Sequence, residues 1–300
     1  MPPKRSLRSK IGIIGSINRD TIYLVNGKQV SSWGGILYNI KYLAESGATK
    51  IVPVANAGTD AYDDIIKILK EYPNVNLEYI SRVKALNNHC FLYYHNQSHK
   101  CEILKGGVPR LRFNQISPLL DCDIVLVNFI SGRDVALQTL ERFRRHYHGM
   151  IYMDIHSLTL GSRKVEDGYK RFLRRPSSWI RYIACADILQ MNEDEFEILS
   201  KTQLSNKNPK KFWSLISLRT KCLVLTLGRE GSRIVSGKLR PKIQKIAPLG
   251  VAHVYDTTGC GDAFAAGFIS EYASSRNFAK SAANGNQLAA ERCETKGRIF

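Results

Sequence analysis

Residues 256–268 read DTTGCGDAFAAGF. Gly259 and Gly261 flank Cys260, Asp262 follows, and an apolar stretch begins. Two glycines let a backbone turn tightly and approach a ligand closely. Phe264, Phe268 and Tyr272 recur at i, i+4 spacing, which predicts a helix with one apolar face. The amides of Gly259, Cys260, Gly261 and Asp262 would then leave a helix N-terminus without intrahelical partners, at the positive end of its dipole. Such an end is an anion site. Asp262 in the first turn has two readings. It can cap the helix and complement the dipole, or it can act as a general base on a hydroxyl while the amides hold the group being attacked.

The elements that must position these groups alternate along the chain. KIGIIGSI (10–17), KIVPVANAG (50–58), DIVLVNFI, MIYMDIH, ADILQMN and KCLVLTLG read as buried strands. NIKYLAESGA, DAYDDIIKILKEY capped by Asp60, DVALQTLERFRRHY and EDEFEILSKT read as helices. HCFLYYHN (89–96) and HKCEILK (99–105) resemble a hairpin around a polar turn. A β-α-β rhythm with buried strands implies a mostly parallel sheet covered by helices on both faces. Ligands in such sheets lie beyond the carboxyl ends of the strands. That is where Asn18, Asp20, Gly58, Asn128, Asp154, Asn192 and Gly228 fall. The segments 20–33 and 86–107 break the rhythm and read as a small β appendage.

The chain has 300 residues, 44% apolar and 23% charged, as an ordinary globular protein does. Its apolar runs are too short to span a bilayer, and no secretory segment follows the start, so the expectation is cytoplasmic. Seven cysteines without a Cys-x-x-Cys pair argue for free thiols. His89, His95 and His99 lack carboxylates or cysteines at ligand spacing. The net charge of +18 concentrates in residues 1–10, 141–148 and 170–176. The first is read as a disordered tail, the others as helices with solvated basic faces. Such charge attracts polyanions and phosphate-bearing substrates without specifying either.

DTTGCGDAF resembles the second signature of the ribokinase-like (PfkB) carbohydrate kinases, usually written with Ala where this chain has Cys260. Further likenesses follow in family order: GSINRD (15–20), GGILYN (34–39), GTD (58–60), NEDE (192–195) and TLGREGS (226–232). The resemblance runs from about residue 11 to the end. It implies a ribokinase-like three-layer α/β sandwich with a small β lid, and ATP-dependent phosphate transfer to a hydroxyl of a sugar or sugar derivative. Asp262 would be the base, and Gly259, Cys260 and Gly261 the anion hole. Asp20, Gly34, Gly35, Asn39 and Asn128 would bind the acceptor. Asn192, Thr226, Gly228, Gly231 and Asn286 would line the nucleotide, with Asn284 as the alternative to Asn286. Glu195 would act on Mg²⁺ through water. The segments 20–33 and 86–107 would form the lid, whose open edges could pair two subunits.

Outside the resemblance, Gly34-Gly35 is an ordinary turn and NEDE an ordinary helix start. Departures from the family pattern are Cys260, Asp63-Asp64 where a glycine often stands, and three residues only after Gly297, which puts K⁺ activation in doubt. Cys260 is read as a small packed residue or as a readily deprotonated thiol. A nucleoside kinase is the neighbouring alternative, since Phe91, Tyr93 and Tyr94 could stack on a base. A non-catalytic polyanion-binding protein is the other. No membrane or specific nucleic-acid partner is expected, because no such motif is visible.

Overall fold

The structure is a computed structural model that describes residues 7–94, 100–205 and 207–295. In chain order the strands are β1 (Leu7–Ile14), β2 (Ile17–Tyr23), β3 (Gln29–Gly35), β4 (Ala48–Gly58), β5 (Ile80–Val83), β6 (His89–Tyr94), β7 (Lys100–Lys105), β8 (Ile124–Asn128), β9 (Met150–Asp154), β10 (Leu160–Val165), β11 (Gly168–Leu173), β12 (Ile188–Asn192), β13 (Cys222–Thr226), β14 (Ser232–Ser236) and β15 (Lys242–Ile246). The helices are α1 (Ile36–Glu45), α2 (Tyr62–Leu69), α3 (Phe113–Ile116), α4 (Leu137–His146), α5 (Trp179–Ile183), α6 (Glu193–Ser200), α7 (Asn208–Ile216), α8 (Cys260–Ser275) and α9 (Phe278–Glu294).

Nine strands form the main sheet in the order β15-β14-β13-β12-β9-β8-β1-β4-β5. It is parallel from β13 to β5, and β14 and β15 add an antiparallel edge. Side chains alternate across it. Ile11, Ile13, Ile124 and Leu126 join the core shared with α1, α2, α8 and α9. Ile14, Val125, Val127, Leu223 and Leu225 join the core shared with α4 to α7. Burial on both faces is why these strands read as unbroken apolar runs. The sheet grows from β1 in two directions, through β4 one way and β8 the other. The gap beyond the carboxyl ends of β1 and β8 is therefore the topological switch point, where such sheets place ligands.

Six strands form a second sheet, β10-β11-β7-β6-β2-β3. Ile22, Cys90 and Leu92, with Tyr94 and Leu104 against them, make its small apolar cluster. The segments read as a β appendage supply four of these strands. The other two correct the sequence reading: Lys170–Pro176, taken as a basic helix, contributes β11, paired to β10 from Leu160↔Leu173 to Val165↔Gly168. The ladder to β10 and the bridge to β7 make this segment a strand, with Arg171 buried and its neighbours on either side exposed.

Two smaller differences have physical reasons. Asp60 does not cap α2, which begins after Ala61; its carboxylate accepts instead from the Asn87 amide at 2.7 Å and pins the start of β6. Leu7–Lys10, read as tail, belong to β1, since β1 pairs with β4 from Leu7 on. Residues 1–6, His95, His99 and Gly297 lie outside the described residues. Among those described, no helix is long and apolar enough to cross a membrane.

Candidate active site

Parallel register brings polar residues to one edge of the main sheet. Asn128 pairs with Asp154 across β8 and β9, Gln190 with Asp154 across β12 and β9, and Asn192 with Thr226 across β12 and β13. Each stands at or near the carboxyl end of its strand. α8 points its N-terminus at this row. Gly259 is its N-cap with φ +80°, and a Cβ there would meet the Tyr38 ring at 2.7 Å.

Asp262, in the first turn, is the centre of a short chain of hydrogen bonds. Asn128 donates through Nδ2 to Asp262 Oδ1 at 2.7 Å and to Asn39 Oδ1 at 2.9 Å. Asn39 donates in turn to the Asp262 carbonyl at 2.9 Å. Oδ2 of Asp262 has no hydrogen bond among the described residues. Burial pushes the carboxyl up to about 6, against the opposing hydrogen bond from Asn128. Asp262 is thus not a plain cap: its side chain accepts from a different strand, not from its own helix. The amides of Gly261 and Asp262 have no intrahelical partner, as helix geometry requires. The Cys260 amide is a correction to the expected trio, because it donates to the Thr257 carbonyl at 3.2 Å.

Of the residues expected at the acceptor, Asp20 and Gly34 lie against each other: a Cβ at Gly34 would fall 2.2 Å from Asp20 Oδ2. Gly35, with φ +68°, caps α1, and a Cβ there would fall 2.3 Å from the Ser16 carbonyl. Asn39 and Asn128 are fully buried. Their side chains hold Asp262. Asn128 Oδ1 and Asn18 Oδ1 are buried without partners among the described residues. Of the lid aromatics, Phe91 stacks on His89 at 4.1 Å and Tyr93 on Tyr23 at 4.7 Å. Both occupy the face opposite Asp20, because Asp20 pairs with Cys90 and side chains alternate along β6.

Of the residues expected at the nucleotide, Thr226 ends β13, Gly228 (φ +53°) and Gly231 (φ +79°) shape the next turn, and Asn286 of α9 donates to the Ile246 and Ala247 carbonyls at 3.2 and 2.9 Å. Asn284 instead donates to the Gly267 carbonyl, between α8 and α9. Thr226 and Asn128 are three strands apart, roughly 14 Å, and α8 bridges the gap: Gln190 on β12 donates to the Gly261 carbonyl at 3.1 Å.

Asn192 and Glu195 form a reciprocal capping box on α6. Asn192 Oδ1 accepts from the Glu195 amide at 2.9 Å, and Glu195 accepts from the Asn192 amide and side chain at 2.8 and 3.1 Å. Burial pushes the Glu195 carboxyl up to about 8. Asp154 is driven well above the usual carboxylate range by burial first, then by the charges of Glu195 and Asp262. Asp154 thus faces two further acids, Glu195 and Asp262. Among the described residues no three His, Cys, Asp or Glu side chains stand close enough to hold a bare ion. The carboxylates of Asp154 and Glu195 are oxygen donors of the kind Mg²⁺ takes alongside water and phosphate.

Residues 174–300 match the pfkB family carbohydrate kinases. An ATP-dependent 6-phosphofructokinase of Thermoanaerobacterium thermosaccharolyticum is 35% identical over 88 residues, a stretch spanning 25% of that relative's length. A pyrophosphate-dependent kinase in the ribokinase family superposes with TM-score 0.79 at 14% identity, covering 97% of both chains. The ribokinase of Arabidopsis thaliana, complexed with ribose and ATP, gives 0.72 at 18% identity over 97% of this chain and 95% of its own. A nucleoside kinase of Methanocaldococcus jannaschii gives 0.71 at 18% over 96% and 93%. The protein has the ribokinase fold.

Within this ribokinase fold the structure adds site residues that sequence reasoning missed. Tyr152 donates to Gln190 Oε1 at 2.6 Å, and Gln190 donates to Asp154 Oδ2 at 3.0 Å as well as to Gly261, so a buried polar ladder supports the glycine loop. The available signal was a glutamine inside the otherwise apolar strand ADILQMN. Cys260 is half-buried and its Sγ lies 2.8 Å from Cys293 Sγ on α9. That contact and burial raise the Cys260 thiol, which favours the packed reading over the readily deprotonated one. The thirty-odd residues between the two sulfurs gave no local cue. Beside them, Arg292, fully buried, donates to Asp256 Oδ2 at 2.9 Å and ties α9 to the segment before the loop.

Proposed function

We propose that the protein is a phosphotransferase that moves the terminal phosphate of ATP to a hydroxyl of a sugar or related polyol. The observation that carries this reading is the buried Asp262 carboxylate, seated by Asn128 beside the unpaired amides of the α8 N-terminus. The acceptor hydroxyl gives its proton to Asp262 Oδ2 as its oxygen attacks the terminal phosphorus, and the bond to the leaving diphosphate breaks. The Gly261 and Asp262 amides hold the phosphoryl oxygens, with Gly259 shaping the turn. Asp20, Gly34 and Gly35 receive the acceptor. Thr226, Gly228, Gly231 and Asn286 receive the nucleotide. Asp154 and Glu195 would hold hydrated Mg²⁺, which would supply charge neutralisation at the phosphates. The second sheet closes over the acceptor and excludes competing water.

The test is a panel of sugars, polyols and nucleosides with ATP or pyrophosphate as donor, read by transfer of phosphate to the acceptor. Transfer to a sugar or polyol is expected. Exclusive transfer to nucleosides would replace the acceptor class. Salt-sensitive DNA binding with no transfer to anything would replace the whole reading. Phe91 and Tyr93 lie on the far face from Asp20, while Tyr94 lies on the Asp20 face and packs on Ile22, Cys90 and Leu92, so the acceptor panel decides between sugars and nucleosides.

The reaction needs Asp262 ionised, so kcat/KM is expected to rise about tenfold per pH unit on the acid side and level off above about 6. A pH–rate profile checks this. A limb centred near 4 would mean that the carboxyl is not desolvated as described.

A further inference from the structure

The β10–β11 arm buries the wrong residue. Tyr169, Phe172 and Leu173 are exposed, while Arg171 is 8% exposed. Register places it on the Asp20 face of the second sheet. Arg171 stands two residues from Tyr169, which opposes Leu104; Leu104 opposes Cys90, and Cys90 opposes Asp20. A guanidinium stays charged, so its burial calls for strong partners. It has none of that quality. Nη2 reaches the Ser157 carbonyl only at 3.5 Å, Nη1 lies 3.9 Å from Glu102 Oε1, and Nε has no partner. Charge-assisted bonds run about 2.7–2.9 Å.

The loop facing Arg171 belongs to the site. Gly132 has φ +71°, and a Cβ there would meet Ser157 O at 2.4 Å and Arg171 Nη2 at 3.2 Å. The Ser131 amide donates to both oxygens of buried Asp134, which also accepts from Ser16 Oγ at 2.5 Å. The Ser16 carbonyl accepts from the Ile36 amide, next to Gly35. The same loop leaves β8 at Asn128, the partner of Asp262. Four residues separate Asn128 from Gly132, at most roughly 14 Å of extended chain.

We propose that Arg171 is an anion-binding residue of the acceptor pocket, and that the acceptor is a polyol carrying a phosphate or carboxylate group. The anion would take the unused donors of Arg171 while a free hydroxyl faces Asp262. Arg133, stacked 5.5 Å over the Tyr169 ring, adds a second cation on that side. Glu102 is near enough to orient the guanidinium and too far to saturate it. The proposal rests on the phosphotransfer reading and refines it.

The test compares the full-length protein with its Arg171→Gln and Arg171→Lys variants. Acceptors are monosaccharides offered as the neutral sugar, the sugar phosphate and the sugar acid. The wild type should favour one anionic form over its neutral counterpart by about 100-fold or more in kcat/KM, as sites built to pair a polar group do. Arg171→Gln should erase most of that preference, raising KM for the anionic acceptor far more than for its neutral counterpart; Arg171→Lys should retain part of it. Whether phosphate or carboxylate wins identifies the group. Equal use of neutral and anionic acceptors by the wild type, or an equal loss on all acceptors in Arg171→Gln, overturns the proposal. If no acceptor of any charge is phosphorylated, the phosphotransfer reading fails instead. The subsite is then judged by thermal shift with sugar phosphates and sugar acids: stabilisation of the wild type but not of Arg171→Gln supports it, and none in either refutes it.

Discussion

Asp262→Asn is expected to lower turnover by roughly 10²–10⁴-fold while making the protein more stable above neutral pH. The first effect follows from loss of the proton acceptor. Asparagine is nearly isosteric and can still accept from Asn128 Nδ2, so the seat survives and nucleotide affinity should change little. The second effect follows from burial. The carboxyl holds its proton up to about 6 when folded, against 3.8 as a model group. Between those values the folded state binds more protons than the unfolded one, so stability falls as pH rises through the window and stays lower above it. The gap corresponds to about 3 kcal/mol, an upper figure for one buried group. Asparagine removes that cost. Turnover with saturating ATP and thermal melts at pH 5 and pH 8 check both halves. A variant that keeps activity within tenfold, or one that melts lower at pH 8, contradicts the assignment.

Gly35→Ala should be the most damaging single-methyl change near the site. The backbone there has φ +68° and ψ −141°, a region that residues with a Cβ avoid. The added carbon would lie 2.3 Å from the Ser16 carbonyl oxygen and 3.1 Å from Ile130. Backbone strain and overpacking together are expected to cost about 2–5 kcal/mol. Relief would shift the start of α1, and with it Asn39, which holds the Asp262 carbonyl. Turnover should fall at least about tenfold for that reason, because small misplacements at a reacting centre are expensive. Gly27→Ala is the control. Gly27 also has positive φ, +78°, but nothing lies within 4 Å of the added carbon. Equal denaturation midpoints for the two variants would show that the close approach at Gly35 is not structural.

Much of the architecture was legible because the physics that selects it is local. Main-sheet strands carry apolar residues toward both faces, and the helices carry them at helical spacing, so each element shows in its own residues. The start of α8 was legible for the same reason: Gly259 supplies the left-handed turn, and Phe264 and Phe268 bury behind it. What the sequence hid depends on pairing across distance. β11 has no apolar periodicity, since its exposed positions are both basic and aromatic, and only its partner strands make it a strand. Asn192 and Glu195 fit two descriptions in the sequence, and the geometry adds a capping box without removing their place beside Asp154. Asp60 looked like a cap because it precedes a helix; the loop it pins lies 27 residues away. Cys293 and Gln190 entered the site only through the contact of α8 with α9 and with β12.

The bonds from Asn39 and Asn128 make Asp262 a shared fixture of α1 and β8. Any change of α1 that reshapes the glycine pair to admit a different acceptor also tugs on the reacting carboxylate. Recognition redesigned from that side would therefore trade against rate. The β10–β11 arm has no such entanglement, since it lies at the other edge of the second sheet from β3 and the glycine pair. Diversification toward new acceptors has an open route through the arm and a costly one through the helix.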